Sequence, residues 1–133
     1  MSDGTVLCFD FGLKRIGVAI GNTLLREARP LCILQAPTKA RRWQGVDQLV
    51  ADWQPAALVV GIPRHPDGTA HEMTELCEKF LRQLQGRYHL PVTGVDERYS
   101  SAVVESEADF IDDEAAAVIL QQFFNEPPLQ EDV

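Results

Sequence analysis

Val6-Leu7-Cys8-Phe9-Asp10-Phe11-Gly12-Leu13-Lys14-Arg15 is the stretch from which the rest of the chain is read. The apolar run up to Asp10 is unbroken and too short for a helix, the mark of a central strand buried on both faces. Asp10 closes that run, and a lone carboxylate there is costly to bury without a partner or a metal. Gly12 lets the backbone turn closely, and Lys14 and Arg15 bring positive charge beside it. A charge that only marks a strand end is the plain alternative; two further acids in matching situations weigh against it.

Outward from this stretch, residues 13–15 read as a tight turn and 16–20 as a second strand folding back on the first. A third strand follows at 31–34, giving an antiparallel meander. Gly17 and Gly21 thin the second strand and predict close approach of backbone or ligand on one side. Thr38 then N-caps a helix. Its Trp43, Val46, Leu49, Val50 and Trp53 share an apolar face, while Arg41, Arg42, Asp47 and Asp52 take the other positions. Pro55 stops it, 57–62 is a fourth strand, and 61–68 is a loop by its Gly and Pro content. Thr69 and Glu72 form a capping box for a second helix, striped by Met73, Leu76, Cys77, Phe80 and Leu84 and closed by Gly86. His65 and His71 read as surface loop and first-turn residues.

Residues 91–95 make a fifth strand ending in Asp96-Glu97-Arg98. A short helix from about Ser100 leads to a helical stretch over 111–124, and 127–133 is an acidic frayed tail. Helical crossovers make the first, fourth and fifth strands parallel. The expected fold is therefore α/β: a five-stranded mixed sheet, antiparallel through strands 1–3 and parallel for strands 1, 4 and 5, with helices on both faces. Residues 1–126 form one domain.

Totals bound the function. The 133 residues suffice for one full core and carry a net charge of −8, against a generic basic nucleic-acid binder. The charge is divided, with 8 Lys/Arg against 5 Asp/Glu over residues 1–66 and 4 against 15 over 67–133. Any basic footprint must come from the first half plus Arg98. Cys8, Cys32 and Cys77 are odd in number, lack metal-ligand spacing and read as reduced core residues. No apolar run approaches ~20 residues and no basic-then-apolar leader opens the chain, so a cytoplasmic location without membrane association is expected.

In such a sheet ligands collect at the carboxyl ends of the parallel strands. Asp10 closes the first strand and Glu97 follows the fifth. On a helical wheel of ~100° steps, Asp112 falls near the centre of the face made by Ala115, Ala116, Ile119, Leu120 and Phe123, with Asp113 on the flank and Glu114 opposite. Three acids without His or Cys suit Mg²⁺ or Mn²⁺, and basic neighbours fit two-metal phosphoryl transfer. Lys14, Arg15, Arg64 and Arg98 are the basic residues at that edge and the candidate substrate contacts. Ser100 and Ser101 lack a base and read as helix caps.

Phe9-Asp10-Phe11-Gly12, Lys14-Arg15-Ile16-Gly17-Val18-Ala19, Val60-Gly61-Ile62-Pro63, Asp67-Gly68-Thr69, Asp96-Glu97-Arg98 and the closing Ile111-Asp112 with Ala115-Ala116 and Ile119-Leu120 occur in that order. Together they resemble the YqgF family of candidate Holliday-junction resolvases, also described as candidate pre-16S rRNA nucleases, whose fold is ribonuclease H-like. By that resemblance Asp10, Glu97 and Asp112 are the catalytic, metal-binding triad of a nuclease. Its substrate is structured nucleic acid, with pre-16S rRNA 5′-end maturation the first reading and junction resolution the second. A stable dimer would favour the second; a monomer or weak homodimer is expected. Two other classes remain open: an actin-like nucleotide-binding domain, and a catalytically idle module binding nucleic acid or protein. The chain departs from the family pattern at Leu13, at Arg64-His65-Pro66, and at residues 105–110, which are short and acidic where the family carries a longer basic loop.

Overall fold

A computed structural model describes residues 4–65, 67–98 and 112–126. Five strands, β1 (Thr5–Phe11), β2 (Arg15–Asn22), β3 (Glu27–Gln35), β4 (Ala57–Arg64) and β5 (Val92–Arg98), lie in the order β3-β2-β1-β4-β5. β2 is antiparallel to both β1 and β3, β4 is parallel to β1, and β5 is parallel to β4. This is the expected mixed sheet, and β1 is its middle strand.

Alternation along β1 sends successive side chains to opposite faces. Leu7, Phe9 and Phe11 join the core beneath α1 (Lys39–Trp53) and α2 (Thr74–Tyr88), packed with Val46, Val60 and Phe80. Val6 and Cys8 join a second core beneath α3 (Asp113–Asn125), with Val59, Val95, Ala116, Leu120 and Phe124. Asp10 therefore lies on the α3 face. On the other face, Arg87 donates to both oxygens of Asp47 at 3.0 and 2.9 Å, and the Tyr88 hydroxyl donates to the same carboxylate, tying α2 to α1.

Several boundaries differ from the sequence reading. β3 begins at Glu27, earlier than residue 31, because it is an edge strand that tolerates Pro30 and a polar start. β4 continues through Gly61 to Arg64, and β5 through Asp96, Glu97 and Arg98, so these residues stand in the sheet and not in loops after it. The capping box does not form. Thr69 donates its amide and hydroxyl to Asp67 Oδ1 at 3.0 and 2.7 Å, making a turn, and α2 starts at Thr74. The Thr74 hydroxyl donates to the Pro63 carbonyl at 2.5 Å and holds the helix start against β4. Gly86 stays helical, and α2 ends where His89 turns left-handed at φ 58°.

His71 is buried, its Nδ1 accepting from the Met73 amide at 3.0 Å, while Trp53 is partly exposed at the end of α1. The helix from about Ser100 and the tail 127–133 lie outside the described residues.

Candidate active site

Asp10 is the sixth residue of β1 and is almost wholly buried. Its position is set by two neighbours. Gly17 faces it across the β1–β2 ladder, and a Cβ on Gly17 would run into the backbone carbonyl of Asp112. The missing side chain lets the start of α3 sit directly on β2, and there the Asp112 backbone N–H donates to the Asp10 carboxylate. The sequence reading of Gly17 as a close-approach position names this contact. Gly21 plays the same part further along, beneath the Phe124 ring.

Glu97 stands on β5, on the same sheet face, paired with Pro63 of β4. It is half-buried, and its Oε2 is sealed from solvent without a hydrogen-bond partner. Burial is the chief cause raising both acids to about 7; the charges of Asp112 and Glu97 add to the effect on Asp10, and those of Asp96 and Glu126 to that on Glu97. For Asp10 the Asp112 amide opposes the rise. Two carboxyls held this far from their ordinary range, on β1 and β5 of one sheet face with β4 between them, make this edge the candidate site.

Asp112 differs from its helical-wheel placement. It is the N-cap of α3, extended at φ −154° and ψ −179°, and its Oδ1 accepts the Ala115 amide at 2.8 Å. The helix proper starts one residue later because an aspartate at this point satisfies an otherwise free N–H. Asp112 still lies at the same edge, joined to Asp10 through its backbone. Among the described residues, no three His, Cys, Asp or Glu side chains are gathered tightly enough to enclose an ion, and one oxygen of Asp112 is engaged by its own helix.

The family comparison covers this whole frame. Residues 4–126 match the family model described as RuvX, Holliday junction resolvase. This chain belongs to the RuvX family. A candidate pre-16S rRNA nuclease from Paraburkholderia xenovorans is 52% identical over 130 residues, covering 92% of this chain and 89% of that one. One from Paraburkholderia phytofirmans is 53% identical over 130 residues with the same coverage. Among solved structures, T. thermophilus RuvC in complex with Holliday junction substrate aligns loosely, with TM-score 0.49 and 14% identity over 97% of this chain and 84% of that one.

The basic residues of this RuvX-family chain do not gather as the sequence suggested. Lys14 and Arg15 are exposed beside Asp10, at the β1–β2 turn and the start of β2. Arg64 is taken up on the opposite sheet face, Nε to Asp96 Oδ1 at 2.8 Å and Nη2 to Glu78 Oε2 at 3.3 Å, along a cleft of about 600 Å³. Its side chain is thus paired with two acids on the face away from Asp10 and Glu97. The Arg98 side chain and residues 105–110 lie outside the described residues. Leu13 is exposed at the turn.

Sequence reading misplaced one residue near the site. Arg42, set on the polar side of α1, is buried, with its guanidinium 4.8 Å from the centroid of the Phe11 ring. The signal was in the spacing: Arg42, Val46 and Leu49 recur at one and two turns on the buried face of α1.

Proposed function

We propose that this chain is a divalent-metal-dependent nuclease that hydrolyses phosphodiester bonds in structured RNA, with maturation of the pre-16S rRNA 5′ end as its role. The observation that supports it is the Asp10–Glu97 pair, two carboxyls buried against their own charge at the carboxyl edge of the parallel strands. Oxygen-only donors fit Mg²⁺ or Mn²⁺, and the orphaned Glu97 Oε2 is a ligand atom awaiting a cation. Asp10 and Glu97 would hold the ions, with the Asp112 oxygen not engaged by Ala115 completing the set. The chemistry such ions would supply there, in a two-metal arrangement, is activation of the attacking water and stabilisation of the leaving oxygen.

The chain's own groups do the rest. The Asp112 amide fixes the orientation of the Asp10 carboxylate, and the cores on both faces keep β1 and β5 rigid beneath the acids. Lys14 and Arg15 draw in the phosphodiester backbone. Ribosomal RNA maturation places such an enzyme in the cytoplasm.

The family description favours a second substrate, the four-way DNA junction. Wild type and Glu97→Gln assayed on a pre-16S-like RNA and on such a junction, with Mg²⁺, Mn²⁺ or EDTA, separate the two. The expected result is metal-dependent cutting of the RNA, lost by about 10³-fold or more in the variant. Cutting of the junction alone would replace the substrate, and equal cutting by Glu97→Gln would remove these acids from catalysis.

A further inference from the structure

Arg42 is the one described arginine that is buried without a carboxylate or hydrogen-bond partner on its side chain. Arg64 and Arg87 are both matched by acids. Arg42 is 9% exposed, and its Nε is shut off from solvent with no acceptor. Burial of the cation lowers its pKa, and no neighbouring charge offsets this. Its face contact with Phe11, 4.8 Å from the ring centroid, recovers only part of the cost of desolvation. A buried guanidinium ordinarily has an anion.

The surroundings indicate which anion. Arg42 lies in the first turn of α1, capped by Thr38, whose Oγ1 accepts the Arg41 amide at 3.1 Å. That turn carries Lys39, Arg41 and Arg42 and no acid, although the positive end of the macrodipole favours negative charge. The β1–β2 turn lies alongside, since Ala36 donates to the Lys14 carbonyl at 2.8 Å and Arg15 pairs with Gln35. From Gly12 to Arg42 the sequence holds seven Lys/Arg and one acid, Glu27, in a chain of net charge −8. Phe11, under the guanidinium, directly follows Asp10 in β1 and so faces the other side of the sheet at the same strand end.

We propose that Arg42, with the start of α1 and with Lys14 and Arg15 of the adjoining turn, forms a binding site for a backbone phosphate of the nucleic-acid substrate, at the carboxyl end of β1 and across the sheet from the acidic pair. A guanidinium takes a phosphate through two N–H groups at once, and the phosphate supplies the missing counter-charge. The site rests on the nuclease reading for its ligand and deepens it, fixing the substrate strand on the α1 side of Asp10. Arg42 is a binding residue there and no part of the bond-breaking chemistry.

The test uses the full chain in EDTA with a single-stranded 12-nucleotide RNA, titrated from low to physiological salt. Arg42→Met keeps the packing on Phe11 and removes the charge; Arg29→Met removes an equal charge toward the far end of β3. Arg42→Met should bind about 5- to 20-fold more weakly and lower the slope of log affinity on log salt by about 0.7, one contact. Arg29→Met should change both little. In the wild type, the Arg42 Nε–H resonance should shift on RNA addition, a readout independent of how the variant folds. An unmoved resonance at saturating RNA, an Arg42→Met affinity and slope like the wild type's, or a wild type that binds no RNA at low salt would each overturn the site. Cutting by Glu97→Gln equal to wild type would sink the nuclease reading and leave this binding result standing.

Discussion

Asp10 carries the site at the level of single residues, and its environment makes a signed prediction. Asp10 and Glu97 are each raised to about 7, so between the ordinary carboxylate range and pH 7 the native chain keeps protons that the unfolded chain has released. Without metal, stability should fall as pH rises through that window and level off on either side. Asp10→Asn keeps the shape and can still accept the Asp112 amide. It should be more stable than the metal-free wild type at pH 8, by about 1–3 kcal/mol, and nearly equal to it at pH 4. Thermal melts of both proteins in EDTA across pH 4–8 check this; a destabilised variant at pH 8 would show that Asp10 is held ionised by contacts of its own. Asp10 was legible from its place at the end of an apolar run. Arg42 was not, because a charged residue inside an amphipathic pattern is assigned to water unless its own spacing is tested.

The element on which the site turns is α3, laid on glycines of β2. Gly17→Ala would push the Asp112 carbonyl away from the sheet and detach the Asp112 amide from Asp10. It should cost about 1–3 kcal/mol as overpacking and weaken metal-dependent cleavage more than that loss of stability explains; a melt beside a cleavage assay measures both. Wild-type cleavage in a folded Gly17→Ala would show that the approach of α3 is not needed. The cap at Asp112 supports a second comparison. Asn caps helices as well as Asp does, so Asp112→Asn should leave stability within a few tenths of a kcal/mol of wild type while abolishing cleavage. Asp112→Ala should lose cleavage and about 1 kcal/mol. Full activity in Asp112→Asn would reduce Asp112 to a cap. The glycines of β2 foretold this packing; the helix start did not follow from periodicity, because an N-cap aspartate can sit in line with the apolar stripe without being helical.

For the whole molecule, the strand order and the parallel set β1, β4 and β5 followed from buried runs joined by helical crossovers. That brought Asp10 and Glu97 to one edge. The sequence said less about β3, whose proline and charges suit only an edge strand, and about Arg64. Its partner Asp96 becomes its neighbour only when β5 is paired in register with β4. The division of charge remains consistent with a basic approach at Lys14 and Arg15 beside an acidic centre. That centre is tested most directly by soaking Mn²⁺ into crystals of the full chain and measuring its anomalous scattering. Mn²⁺ should lie between Asp10 and Glu97, within coordination distance of both and of an Asp112 oxygen. Mn²⁺ bound only elsewhere, or none at millimolar concentration with these side chains unmoved, would contradict it.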